Sequence, residues 1–286
     1  MKFNPYVFRE YDVRGNVAED FPPEFVQDLG RAFGTFVKRK GANEISISGD
    51  IRLTTPDLKA DFKTGVLDTG IDVIDIGILP TPVNYYSMWK LNVAGAVQIT
   101  GSHNPPEMNG FKMSFDKGAV YGGQILELRD LMERQDLESG EGTEITFSIL
   151  DDYLQMVSSK ITLERDMKIA MDCGNAAACL AAPDIFREIG VDLTELYCDV
   201  DGTFPNHHPD PTVKKNLSDL IDLTKGGDFH AAVAYDGDAD RLGVLDESGE
   251  VVWADQIMAL FLPEIIEPGD EILFDVKCSQ ALEEEI

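Results

Sequence analysis

The sequence predicts an α/β protein built from tandem units of alternating helix and strand. Three observations carry this. Helix-period and strand-period segments alternate through the first 100 residues, from a helix over 23–40 to a strand over 93–99. Beyond a polar, glycine-containing stretch near residue 140 the same plan starts again. Finally, the strand ends at Asp50, Asp172, Asp236 and Asp275 share an acidic residue, a weak internal repeat of one unit. Strands alternating with helices imply an α/β layer with right-handed crossovers.

The elements follow in order. Residues 8–15 mix aromatic, acidic and two arginine positions, too irregular for a strand; Arg14-Gly15 offers a guanidinium beside a sharp bend, for an anion or simply for solvent. A helix over 23–40 carries Phe25, Val26, Leu29, Phe33, Phe36 and Val37 at helical spacing and closes at Gly41. A strand over 44–48 ends at Gly49-Asp50. Thr55 caps the next helix, with Pro56 at its first position, and that helix stops near Gly70. A strand over 71–78 and a helix over 84–89 precede the strand over 93–99. A hairpin over 111–115 and 119–121 and a helix over 124–137 lead to Glu138-Ser139-Gly140-Glu141-Gly142, a flexible linker by composition, with a boundary near 146.

The second unit reads as helix 150–161, strand 168–171, helix 176–189, strand 191–197, helix 217–224 and strand 229–235, then a hairpin over 242–245 and 251–253. A helix over 255–266 and a strand over 271–274, ending at Asp275, begin a third unit. A chain that stops just after a strand reads as a fragment of something longer.

Composition sets limits. With 52 acidic against 24 basic residues the formal charge is −28, which repels nucleic acid and anionic lipid. No run approaches the length of a membrane span, and the N-terminus is too polar for a signal peptide, so a cytoplasmic protein is expected. Cys173, Cys179, Cys198 and Cys278 have no framework spacing and read as reduced core residues. The four histidines are too scattered for zinc.

Two loops carry the chemistry. The apolar strand over 93–99 runs into Thr100-Gly101-Ser102-His103-Asn104-Pro105-Pro106, followed by an Asn109-Gly110 turn and Phe111-Lys112. A hydroxyl at the carboxyl end of a core strand, with a lysine shortly after, suits a nucleophile or phosphate carrier; a plain polar turn is the other reading. Adjacent side chains on an extended loop point apart, so Ser102-His103 is not a hydrolase pair, and G-x-S-x-G is missing from the sequence. The second loop is Asp236-Gly237-Asp238-Ala239-Asp240-Arg241, straight after an apolar strand. Three carboxylates at alternate positions repel unless a cation neutralises them, and this donor set suits Mg²⁺ with a phosphate oxygen completing its shell. An EF-hand fails because Arg241 stands where that loop needs glycine; a solvated acidic turn is the remaining alternative. Neither GxGxxG nor GxxxxGK[ST] occurs.

Together the two loops resemble the α-D-phosphohexomutases, in the phosphomannomutase/phosphoglucomutase branch. Tyr11-Asp12-Val13-Arg14-Gly15 and Asp275-Val276-Lys277-Cys278-Ser279 match further motifs of that family in the same order. Ala239 departs from it, standing where the family usually has glycine. The resemblance implies tandem α/β/α sandwich domains with mixed sheets: domain I over 1–146 with the phosphoserine loop, domain II over 147–248 with the metal loop, and the beginning of domain III over 249–286. It implies phosphoserine at Ser102 and Mg²⁺ held by Asp236, Asp238, Asp240 and a phosphoserine oxygen. It further implies interconversion of hexose 1- and 6-phosphates through a hexose 1,6-bisphosphate. Lys112 and Arg14 are the candidates for the hydroxyl proton, His103 orients the serine loop, and Tyr11, Arg14, Arg241 and Lys277 face the sugar phosphate. The family's sugar-recognition loop and phosphate-clamping domain lie beyond the resemblance, so Mg²⁺ binding without useful turnover is expected of these 286 residues. The alternatives are a phosphoglucosamine mutase and a non-catalytic sugar-phosphate or Mg²⁺-binding protein.

Overall fold

A computed structural model describes residues 3–286. Two mixed sheets organise them. The first contains β1 (Val13–Asn16), β2 (Glu44–Gly49), β3 (Asp72–Ile78), β4 (Gly95–Ile99), β5 (Met108–Phe115), β6 (Gly118–Ala119) and β7 (Glu144–Thr146), in the order β1-β5-β4-β2-β3-β7 with β6 on β5. The second contains β8 (Lys168–Asp172), β9 (Asp192–Leu196), β10 (Ala231–Tyr235), β11 (Leu242–Leu245) and β12 (Val251–Val252), in the order β12-β11-β10-β8-β9. Parallel pairing unites β4, β2, β3 and β7, and likewise β10, β8 and β9; the remaining pairs are antiparallel.

The helices are α1 (Val17–Asp20), α2 (Pro23–Arg39), α3 (Thr55–Leu67), α4 (Thr81–Lys90), α5 (Gly123–Arg134), α6 (Leu150–Ser158), α7 (Ala182–Glu188), α8 (Ser218–Gly226), α9 (Ala254–Ile265) and α10 (Gln280–Glu285). Each sheet is covered on both faces, as its strand alternation requires. In the first, Ile45, Ile47 and Val97 face a core with α2, α3 and α5, while Ile74, Ile76 and Ala96 face α4. In the second, Ala170, Ala232 and Ala234 pack under α8, and Ile169, Met171 and Val233 pack under α7. The sandwich architecture is therefore as expected.

Several local expectations give way to tertiary structure. Residues 13–16 form an edge strand, paired antiparallel with β5 from Val13↔Phe111 to Asn16↔Met108, and Asp12 and Arg14 are buried, not solvated. Asn109-Gly110 lies inside β5 and is no turn; a Cβ at Gly110 would stand 2.6 Å from the Val13 carbonyl, so glycine lets β1 approach. Thr55 is the first residue of α3 and no cap, because its hydroxyl donates to Asp50 at 2.6 Å. The helix expected over 176–189 breaks into a 3-10 turn (Ala177–Leu180) and α7, with Ala181 outside helical geometry between them. The segment 138–142 is pinned, its Gly140 and Gly142 N–H groups donating to the carbonyls of Asp68 (2.8 Å) and Leu67 (2.9 Å). Residues 271–274 form no strand: Leu273 is 95% exposed and no neighbour accepts their ladder bonds among the described residues. Asp275 accordingly drops out of the strand-end repeat, while Asp50, Asp172 and Asp236 each terminate or directly follow β2, β8 and β10.

The aromatic centre of the first sheet is the main packing element. Phe62 of α3 is fully buried, stacked on Phe111 at 5.2 Å and against Phe33 of α2 at 6.1 Å. Phe62→Ala should lower the unfolding free energy by roughly 3–5 kcal/mol, the usual cost of emptying an aromatic core site. Urea denaturation of the two chains measures this.

Candidate active site

The carboxyl ends of β4 and β10 meet where the two sheets adjoin. The serine loop leaves β4, and the carboxylate loop leaves β10. Their approach is so close that a Cβ on Gly237 would collide with the Ser102 carbonyl. Glycine at 237 thus serves close contact between the loops, beyond the tight bend anticipated from sequence. Thr81 at the start of α4 ties the sheets again, its N–H donating to the Asp238 carbonyl at 2.9 Å and its hydroxyl to Asp238 Oδ2 at 2.5 Å.

Ser102 sits at φ 49°, in the left-handed region that non-glycine residues seldom occupy. The loop is therefore not extended, and the serine and His103 side chains do not point apart. Ser102 Oγ lies 3.2 Å from His103 Nδ1 and donates to Asp236 Oδ2 at 2.8 Å. Since the hydroxyl has one proton, His103 Nδ1–H is the donor toward Oγ. Its other nitrogen then accepts from Arg241 at 3.5 Å. Burial and the Arg241 charge lower the His103 pKa, which agrees with a neutral ring.

Arg52, which sequence reasoning passed over, holds this loop. Its guanidinium is almost fully buried and donates to the carbonyls of Ser102 (2.7 Å), Asn104 (2.7 Å), Pro105 (2.8 Å) and Met108 (3.1 Å). Asp50 lies 3.3 Å from Arg52 Nε and also accepts from Thr100 Oγ at 2.7 Å and the Gly101 N–H at 3.2 Å. Phe204, from the second unit, covers the guanidinium at 5.4 Å. The only local signal was Asp50 at a strand end; nothing in the sequence around Arg52 announces that loop carbonyls converge on it.

Asp236, Asp238 and Asp240 place one oxygen each within 4.8 Å of one another. Asp236 and Asp238 are fully buried, and Asp240 reaches solvent. Burial, then the charges of Asp238 and Asp240, push Asp236 up to about 8. Burial also opposes ionisation of Asp238, but the Lys112 charge and the hydrogen bonds from Lys112 and Thr81 hold its carboxyl below the usual range. Lys112 Nζ touches Asp238 at 2.6 Å and Asp240 at 2.5 Å. Although burial alone would lower the lysine, the two carboxylates raise it, so it stands here as an ammonium. Asp238 Oδ1 is buried with no hydrogen-bond partner among the described residues. An orphaned carboxylate oxygen within a crowded oxygen triad fits a hard divalent cation. The loop flanks are strands β10 and β11, which removes the EF-hand alternative.

A cleft of about 380 Å³ opens onto this point, lined by Tyr11, Arg14, Tyr85, Ser102, Lys112 and Arg241 among others. Arg14 reaches it from β1 and is paired with Asp12. Tyr85 of α4 is a lining residue that sequence reasoning missed. Lys277 is not brought to the cleft; its side chain is 86% exposed, 3.9 Å from Asp275.

Residues 5–138 match the phosphoglucomutase/phosphomannomutase alpha/beta/alpha domain I, and residues 151–249 match domain II. The chain belongs to the phosphoglucomutase/phosphomannomutase family. It is 39% identical over 278 residues to a phosphomannomutase/phosphoglucomutase of Pseudomonas aeruginosa, and 38% identical over 280 residues to a phosphoglucomutase of Neisseria meningitidis. These matches cover 96% of this chain and 60% and 61% of the relatives, so it spans about three fifths of their length. A solved family protein from Burkholderia thailandensis superposes with TM-score 0.94 at 35% identity, over 99% of this chain and 65% of that one.

Two outcomes follow. Arg52→Met leaves Asp50 buried without its partner and frees four loop carbonyls, so stability in urea should fall by roughly 3–5 kcal/mol. Ala239, the family departure, has φ 62°, which costs an alanine roughly 1–2 kcal/mol. Ala239→Gly should therefore raise the thermal midpoint, read by calorimetry.

Proposed function

We propose that this chain supplies the phosphoryl-carrying half of a phosphohexomutase, which interconverts hexose 1-phosphate and hexose 6-phosphate, of mannose or glucose, through a hexose 1,6-bisphosphate. The observation that carries the reading is Ser102 Oγ, 2.8 Å from Asp236 in a carboxylate triad with two buried members, at a cleft walled by Arg14, Lys112 and Arg241. In an acidic protein of net charge −28, three basic side chains lining one cleft beside a hydroxyl suit a phosphate. The names of the relatives support the hexose branch over the amino-sugar alternative.

Phosphoryl transfer needs in-line positioning and neutralised charge more than covalent activation. Arg14, fixed by Asp12, and Arg241 provide planar donors for phosphate oxygens. Lys112 enters as an ammonium, a donor toward the same oxygens. Lys112 and Arg14 are the candidates for the hydroxyl proton; as an ammonium and a guanidinium both donate here, and Lys112 could take that proton only after losing one of its own. His103 orients Ser102, and Tyr11 lines the approach. Lys277 would join the substrate only if its segment swings inward. Asp236, Asp238, Asp240 and a phosphoryl oxygen on Ser102 would hold Mg²⁺. When bound, Mg²⁺ supplies charge neutralisation for the transferring group. We place domain I at 1–146, domain II at 147–248 and the beginning of domain III at 249–286. No helix among the described residues is long and apolar enough to cross a membrane; a cytoplasmic location is part of the proposal.

The test uses the 286-residue chain, glucose 1,6-bisphosphate and Mg²⁺. Intact mass should show one phosphoryl group on Ser102, lost in Ser102→Ala and prevented by a chelator. Asp238→Ala should slow its appearance by roughly a hundred- to a thousandfold, the scale for losing one preorganised electrostatic group. Phosphate that persists in Ser102→Ala would identify another carrier.

A further inference from the structure

Three of the four cysteines gather in the second sheet, away from any role in phosphoryl transfer. Cys173 follows β8, Cys198 follows the adjacent strand β9, and Cys179 lies in the 3-10 turn after Cys173. The Cys173 and Cys198 sulfurs are 3.3 Å apart. Cys179 also lies beside Cys173, and its thiol donates to the Tyr197 carbonyl at 3.6 Å. Cys173 is fully buried, whereas Cys198 is half-buried and within reach of a small oxidant. All are free thiols in the structure, and only Cys173 is the core residue that composition suggested.

We propose that Cys173 and Cys198 form a reversible disulfide with hydrogen peroxide as oxidant, and that this bond slows phosphoryl transfer at Ser102. The second half rests on the function proposed above. A disulfide bond is about 2.05 Å long, so the sulfurs must close by roughly 1.3 Å, a movement shared between side-chain rotation and the backbone of the turn that follows β8. The Cys198 thiolate attacks one peroxide oxygen. The O–O bond breaks, hydroxide leaves and takes a proton as water, and Cys198 becomes a sulfenic acid. Cys173 sulfur then attacks Cys198 sulfur. The S–O bond breaks, and the second hydroxide leaves with the Cys173 proton as water. The thiols lose two electrons and the peroxide gains them. The order of attack suits the pair: the hydrogen bond with Cys173 lowers the Cys198 pKa, while hydrogen bonds with Cys179 and Cys198, with burial, raise that of Cys173.

The pair is wired to the site at two points. Asp172, beside Cys173, holds His207 Nε2 at 2.9 Å, and the next residue, His208, donates to the His103 carbonyl at 2.6 Å. On the other side, the Ala177 N–H donates to the Gly237 carbonyl at 3.3 Å. The intervening turn has little slack. Gly174 and Asn175 are both left-handed, at φ 55° and 57°, and a Cβ on Gly174 would stand 2.9 Å from Pro209. Pulling Cys173 toward Cys198 therefore displaces groups that touch both catalytic loops.

The test treats the intact 286-residue chain with hydrogen peroxide, blocks remaining thiols with an alkylating agent and maps peptides without reduction. The expected product is a linked pair of peptides containing Cys173 and Cys198, short of two hydrogens and restored by dithiothreitol. The oxidised chain should take phosphate from glucose 1,6-bisphosphate roughly ten- to a hundredfold more slowly, the scale of a displacement near one ångström. Cys198→Ser, or Cys198→Ala if the first misfolds, should form no link and keep its rate after peroxide. A link through Cys179, a sulfinic acid on Cys198 without a link, or no oxidation overturns the site. A Cys173–Cys198 link with unchanged phosphorylation overturns the coupling. A linked peptide in a chain that takes no phosphate even when reduced supports the disulfide and overturns the phosphoryl-transfer reading instead.

Discussion

Three carboxylates at the end of β10 set the terms for the rest of the molecule. Two of them are fully buried, and buried like charges cost several kcal/mol each unless paired. Their own loop supplies only the Asp240 and Arg241 N–H groups, both donating to Asp236 Oδ1 at 3.1 Å. Lys112 of β5, Thr81 of α4 and the Ser102 hydroxyl all reach across from the first unit. The electrostatic demand of one loop thereby docks one sandwich against the other. The same docking puts a hydroxyl, an ammonium and an oxygen triad within hydrogen-bond reach, which is the geometry phosphoryl transfer requires.

The serine loop is the reciprocal case. Its backbone is held in a conformation that a free peptide avoids, with Ser102 at φ 49°. Four carbonyls point inward and would repel one another if left unpaired. Arg52 resolves both problems, because a planar guanidinium can donate in several directions in one plane, which a lysine cannot. Asp50 balances its charge, and Phe204 seals it from the second unit. The Ser102 hydroxyl is therefore placed by a residue that never faces the cleft.

Position in the chain also decided where expectation failed. The residues over 271–274 have strand-like composition but lack sheet neighbours among the described residues, and they stay irregular with Leu273 and Val276 exposed. Strand propensity records how well a residue fits a pleated, partly buried surface; without that surface it has little to act on. The reverse happened at Val13–Asn16, where a mixed sequence became a strand because β5 offered its edge.

The sequence by itself determined the repeated α/β plan, the core faces of the long helices, and the residue types of the two reactive loops. Periodicity and short motifs are local, and local physics is enough to reveal them. The serine, the aspartate triad, Arg14, Lys112, His103 and Arg241 were all legible this way, and the structure brings them together. Tertiary structure alone decided the rest: that His103 turns back onto Ser102, that Lys112 spans two aspartates more than a hundred residues away, that Arg52 cages the serine loop, and that two thiols just past the ends of neighbouring strands lie 3.3 Å apart. Each of these depends on which groups lose water together. Burial is shared between distant segments, so no window of sequence contains it.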